Sequence, residues 1–201
     1  MGAKKEVSRG PSGGRVNLVA KLLLAVCTAC VFPGDVFSQA ISREYQLKAI
    51  YLRKLPSFVE WPASAASTSK AAFQLCTLGD YQFGARLAQE VGGVSFGGRN
   101  VELRWVHREQ ELEGCEVIFF SRSEAKHYGK ILEGLKGKSV LTVGESEGFL
   151  EAGGMVEFSF ESDRLQMKVN LVAARNANLK MDARLLALAK RVVTERSIPG
   201  G

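Results

Sequence analysis

The stretch Ser139–Ala174, SVLTVGESEGFLEAGGMVEFSFESDRLQMKVNLVAA, decides the fold. Val140–Val143 is an apolar run of buried-strand length. Apolar and polar residues then alternate over Met155–Phe160 and again over Leu165–Asn170, the period of two that marks strands. The polar turn Glu161-Ser162-Asp163-Arg164 joins these segments into a hairpin. Between the first strand and the hairpin lies a loop, Gly144–Gly154, rich in Gly and Glu. Its closing pair, Gly153-Gly154, is predicted to fill backbone positions closed to residues with a Cβ. The stretch therefore reads as strand, long loop and hairpin, and it carries no catalytic motif.

Upstream, Phe73–Leu78, Val101–Val106 and Val117–Ser121 read as strands. Helical segments are predicted at Phe83–Val91 and at Glu124–Leu135, the second capped by the Ser123 hydroxyl. Val94–Gly98 is a brief extended piece. Ile41–Leu55 is an amphipathic helix with Ile41, Tyr45, Ala49 and Leu52 on its apolar stripe. Arg43, Glu44, Lys48 and Arg53 fall off that stripe, and Pro56 ends the helix. Trp61 is expected to anchor the helix end, and Ala63–Ala72 reads as a surface linker. Downstream, Leu171–Ala177 is a short helix. Asp182 caps a last helix running to Val193, with Leu185, Leu188, Ala189 and Val192 on one face. The alternation predicts an α/β fold: a single compact domain with a mixed, mostly parallel sheet flanked by helices and a C-terminal antiparallel hairpin. The 201 residues suit one ordinary domain.

Residues 1–40 read as a secretory signal peptide. Lys4, Lys5, Arg9, Arg15 and Lys21 precede the apolar run Leu22–Phe32, and Ser38-Gln39-Ala40 offers small residues for cleavage after Ala40. The run is short for a membrane span. The expected domain is then 41–195, with a flexible tail at 196–201, in the periplasm. The whole chain has a formal charge of +6; residues 1–40 hold five basic and two acidic residues, so the remainder carries +3. That modest excess does not point to nucleic acid. The C-x-x-C of Cys27 and Cys30 lies inside the apolar run and leaves with it. Cys76 and Cys115 remain. In an oxidising compartment an even pair reads as a disulfide, the alternative being two buried thiols.

In open α/β sheets, ligands bind beyond the carboxyl ends of the strands. Those ends bring forward Asp80, Ser121 and Glu145 as a candidate ligand crevice, although turn and cap chemistry accounts for all three as well. Glu145 and Glu147 read most simply as a solvated loop. Gly79–Gly84 has the glycine spacing of a phosphate loop, but no Lys-Ser/Thr follows. No nucleophile–base spacing occurs. His107 and His127 sit in polar segments without clustered Cys or carboxylate ligands. No catalytic residue, metal site or cofactor is predicted.

Several segments together resemble a known family, the YfiR-type periplasmic proteins. Glu44-Tyr45-Gln46-Leu47-Lys48-Ala49-Ile50-Tyr51-Leu52, followed by Phe58-Val59-Glu60-Trp61-Pro62, is similar to the family's opening helix and its ending. Cys115 and the strand Glu116–Ser121 resemble its central cysteine-led strand. Leu141-Thr142-Val143, Gly153-Gly154-Met155-Val156 and Val169-Asn170-Leu171 resemble its late strands, and Leu179–Ala189 its closing helix. The resemblance spans 44–193. It implies an exported, non-catalytic α/β regulator. It also implies a partner: the periplasmic sensor region of a YfiN-type membrane diguanylate cyclase, through which the protein modulates cyclic-di-GMP signalling; the periplasmic domain of a sensor kinase is the other partner expected. The family's best-known member represses its cyclase in a way linked to redox state through disulfides, and Cys76 and Cys115 match the positions of one of them. A second family disulfide has no counterpart, because no cysteine follows Cys115. A homodimer is compatible with these features. The alternative function is a periplasmic receptor for a small ligand held near Asp80, Ser121 and Glu145.

Overall fold

A computed structural model describes residues 2, 34–63 and 72–195. The predicted signal segment falls mostly outside them, as do 64–71 of the expected linker and the tail 196–201. Residues Ala40–Gly201 form one compact unit; Met1–Gln39 form another, of which only Gly2 and the start of a helix are described.

Helix α1 (Gly34–Lys54) begins well before the predicted Ile41. A single 3-10 turn at Leu55–Phe58, with Pro56 in it, ends the helical path as the proline requires. There follow β1 (Val59–Glu60), β2 (Phe73–Leu78), α2 (Tyr81–Val91), β3 (Ser95–Phe96) and β4 (Arg99–Val106). Then come β5 (Val117–Phe120), α3 (Tyr128–Gly134), β6 (Leu141–Gly144), β7 (Val156–Glu161) and β8 (Arg164–Asn170). The described chain closes with α4 (Leu171–Asn176), β9 (Lys180–Met181), α5 (Ala183–Leu188) and β10 (Arg191–Val193).

Eight strands form one sheet in the order β10-β8-β7-β6-β5-β2-β4-β3. From β4 to β7 the neighbours are parallel, with Leu75 opposite both Leu103 and Val117, and Val143 opposite Val156. The hairpin β7–β8 is antiparallel, with Phe158 opposite Met167. Its turn places Ser162 and Asp163 at φ 49° and 59°, two left-handed residues whose twist suits a two-residue hairpin. The mixed, mostly parallel α/β sheet expected from the sequence is the one observed.

Period two sorts each strand's side chains between two cores. Phe73, Leu75, Val117, Phe119, Leu141, Val143, Phe158 and Met167 face α1, α2 and the C-terminal elements. Cys76, Leu78, Ile118 and Phe120 face α3 and the 144–154 loop, where Phe149 and Leu150 join them.

The C-terminal segment departs from expectation. The predicted helix to Val193 stops at Leu188, and Arg191–Val193 instead adds a parallel edge strand to β8, with Val192 opposite Val169. The Lys190 N–H opens that pairing by donating to the Met167 carbonyl at 2.7 Å. Val192 and Val193 satisfy a helical stripe and a strand equally in sequence, but β-branched residues favour the strand once an open edge is available. A second small sheet pairs β1 with β9, Val59 opposite Met181. The Glu124–Leu135 helix is also altered: Arg122–His127 is 3-10 and the α-helix begins only at Tyr128. Ser123 does not cap it; its hydroxyl lies 2.8 Å from that of Ser121.

Candidate functional site

Strand β4 lies on one side of β2 and β5 on the other, so the chain reverses direction across the sheet between β2 and β5. This is the switch point at which open α/β sheets gather ligands. Asp80 follows β2, Ser121 follows β5 and Glu145 follows β6, and the three meet at this end.

Asp80 serves two elements. Its Oδ1 caps α2 by accepting from the N–H groups of Gln82 at 2.7 Å and Phe83 at 3.5 Å. Its Oδ2 accepts from the Tyr45 hydroxyl of α1 at 2.5 Å. Burial, then the bond to Asp80, pushes the Tyr45 phenol well above its ordinary pKa. Ser121 accepts from the Asp80 N–H at 2.8 Å and donates to the Leu78 carbonyl at 3.0 Å, so its hydroxyl ties β2 to β5. Among the described residues its hydroxyl meets no histidine, lysine or carboxylate directly; its third contact is the Ser123 hydroxyl at 2.8 Å. Gly79, at φ +102°, permits this close approach: a Cβ there would lie 1.9 Å from the Ser121 oxygen.

Glu145 is buried rather than solvated, whereas Glu147 is exposed. Its Oε1 accepts from the Arg122 N–H at 2.8 Å, and its Oε2 is ion-paired with Lys48 of α1. Lys48 also pairs with Glu44, one helical turn away, and the Arg122 guanidinium stands 3.7 Å from Glu44. Lys48 is only 1% exposed, although it lies off the apolar stripe in sequence. A buried lysine needs a carboxylate, and its partner is 97 residues away. Tyr128 closes the group by donating to the Ser121 carbonyl at 2.9 Å, and burial pushes its phenol up to about 12. Tyr45 and Lys48 thus occupy the place beyond the strand ends where a ligand would lie.

The neighbouring loop, Gly144–Gly154, is built around Phe149, which is fully buried. A Cβ on Gly144 or Gly154 would come within 2.4 Å of the Phe149 ring, so both glycines are needed for close packing. Gly153 sits at φ +100°, which completes the expected role of the pair. Glu157, 1% exposed, holds the loop from β7. Its Oε2 accepts from the N–H groups of Phe149 at 3.1 Å and Leu150 at 3.4 Å, and its Oε1 from Lys168 at 2.7 Å. That bond raises the Lys168 pKa.

Cys76 of β2 and Cys115 just before β5 form a disulfide with Cα atoms 5.9 Å apart, both buried in the core beneath α3. His107 and His127 are exposed, and among the described residues no group of three His, Cys, Asp or Glu is placed to hold a metal. No helix among them is long and apolar enough to cross a membrane.

The family described as YfiR/HmsC-like matches residues 45–190. No curated protein matches the chain. Among solved structures, a conserved domain protein from Vibrio cholerae O1 biovar eltor is similar over 60% of this chain and 55% of its own, at 9% identity and a TM-score of 0.47. An ABC domain in complex with L-Trp from Streptococcus pneumonia is similar over 74% of this chain and 60% of its own, at 11% identity and a TM-score of 0.49. The chain therefore spans less than two thirds of the length of either.

Proposed function

The chain belongs to the YfiR/HmsC-like family, and from that premise we propose that it is an exported, non-catalytic regulator. It acts in the periplasm by binding the periplasmic region of a membrane signalling enzyme of the diguanylate cyclase or sensor kinase type, and so tunes cyclic-di-GMP output. The observation that carries this reading is the family match over 45–190, which takes in every described strand except the edge β10. The Cys76–Cys115 disulfide supports an oxidising compartment. The polar groups at the switch point support a regulator over an enzyme, since they spend their hydrogen bonds on α1 and on the backbone.

Asp80, Ser121 and Glu145 act, in this reading, as the anchorage of α1. Use of the same residues to receive a small ligand requires that Tyr45 and Lys48 leave. The test is affinity capture of the exported, tagged protein from detergent-solubilised membranes of its own cells. Recovery of a diguanylate cyclase or sensor kinase, together with a change in cyclic-di-GMP on deletion of the protein, is expected. Recovery of neither, with cyclic-di-GMP unchanged, overturns the proposal.

A further inference from the structure

Two apolar cavities open on either side of the last turn of α1. One, about 280 Å³, lies between α1 and α5 over β8, and Ile50, Tyr51, Phe58, Met167 and Leu188 line it. The other, about 220 Å³, lies toward β4, with Phe73, Val91, Phe96 and Val101 in its wall. Lys54 lines both, and Arg53 lines the second. A hydrophobic residue exposed singly needs no explanation, and Tyr81 and Trp105 cover part of each other with ring centres 6.0 Å apart. Here two of the most exposed, Tyr51 at 41% and Leu188 at 68%, stand at the mouth of the same cavity. Tyr51 is held in place by an edge contact with Phe158, ring centres 6.3 Å apart.

The charged residues that line the two cavities, Arg53 and Lys54, are of one sign. Arg53 and Lys54 are exposed, and neither has an ion-pair partner among the described residues. The C-terminal dipole of α1 accounts for cations here, but not for an apolar socket on each side of them. We infer that this face is the docking surface for a protein segment that places an acidic side chain on Arg53 and Lys54 and an apolar side chain in each flanking socket. An amphipathic helix laid along such a groove presents that pattern. Like charge on the partner is excluded by the same two cations, which gives the surface selectivity as well as affinity. The inference rests on the reading of the chain as a regulator of a membrane protein, and it names the contact surface.

The experiment uses the full chain, exported in its own cells, with the photo-cross-linker benzoylphenylalanine replacing Tyr51 or Leu188. A control carries it at Lys130, on α3 across the sheet. Cross-linked peptides are mapped by mass spectrometry, and affinity capture from membranes runs in parallel. Both test positions are expected to capture one segment of a membrane signalling protein, apolar with an acidic residue, while Lys130 captures none of it. The pair Arg53→Glu/Lys54→Glu is expected to cut the adduct at least about tenfold, with only the small fall in thermal midpoint that two acids opposing the dipole of α1 bring. If affinity capture recovers the membrane protein but Tyr51 and Leu188 give no adduct with it, the surface is overturned and the regulatory reading stands. Adducts only with a second copy of this chain overturn the acidic-segment proposal in favour of a dimer face. If affinity capture recovers no membrane signalling protein, the regulatory reading itself fails.

Discussion

Glu145 and Glu157 are both buried carboxylates that face a lysine and accept from backbone N–H groups, yet they hold different things. Glu145 reaches Lys48 across 97 residues and fastens α1 to the end of the sheet. Glu157 reaches no further than 11 residues, to Lys168, Phe149 and Leu150, and shapes a loop. Their lysines differ in the same sense. The Lys48 side chain is 1% exposed and has no route to water, whereas that of Lys168 is 25% exposed. A buried pair is weak evidence of net stability, but breaking one leaves an uncompensated charge whose cost depends on whether water can reach it. The two carboxylates therefore separate a tie that holds the tertiary structure from one that sets local geometry.

The largest expected effect is at Glu145. Glu145→Ala strands the Lys48 ammonium beside Glu44 alone and leaves the Arg122 N–H without its acceptor, and the loss is expected at about 4–5 kcal/mol, the upper part of the range for a broken buried pair. Urea denaturation measures it. The double variant Lys48→Met/Glu145→Leu removes both charges and is expected to recover most of the loss. A double variant no more stable than Glu145→Ala breaks the claim that the stranded charge is the cause.

The disulfide is next. It closes a 39-residue separation across the opposite core, and Cys76→Ala/Cys115→Ala is expected to cost about 3–4 kcal/mol in the chain-entropy model. Thermal unfolding with and without reductant checks this: the wild type should shift and the double variant should not. Glu157→Gln is expected to cost less, about 1–3 kcal/mol, because Lys168 can turn to water and the Phe149 and Leu150 N–H groups keep a neutral acceptor. Hydrogen exchange should quicken at 149–154 and stay unchanged in α1. Faster exchange in α1 would erase the distinction between the two carboxylates.

The elements that the sequence makes legible are those whose information is local. Period two marks β7 and β8, Gly153-Gly154 mark a backbone constraint, and Asp80 and Asp182 sit where caps belong. Asp80, Ser121 and Glu145 are found together because strand ends converge in any such sheet. Lys48 is different. In sequence it reads as a solvated residue beside Glu44, and nothing near it signals that Glu145 lies opposite. The pairing of β1 with β9 is hidden for the same reason, since Glu60 and Lys180 are 120 residues apart. Residues 189–193 read in sequence as the end of the last helix, and it is the free edge of β8, invisible locally, that draws Arg191–Val193 into a strand.

The smallest expected effect is a response to alkali, and its tyrosine part belongs to the Glu145 end. Tyr45 and Tyr128 both lie there, and both phenols are raised, chiefly by burial. A free tyrosine loses its proton near pH 10, whereas folded Tyr128 holds its proton up to about 12. Between those values the folded state binds more protons than the unfolded state, so stability falls as pH rises. The contribution is complete below about pH 10 and is lost as pH passes through the folded value. Tyr45 acts in the same direction and extends the decline further. Urea midpoints at a series of pH values from about 9 upward, read beside phenolate absorbance, test this. The wild type should lose stability progressively, Tyr128→Phe should soften the slope, and Tyr45→Phe/Tyr128→Phe should soften it further. Glu157→Gln should soften the slope only through Lys168, whose pKa the Glu157 bond raises, and should leave the phenolate absorbance curve as it is, because no raised tyrosine faces Glu157. A double tyrosine variant that declines as steeply as the wild type would remove the crevice end as the source, and with it the claim that the two buried carboxylates stand in electrostatically different surroundings.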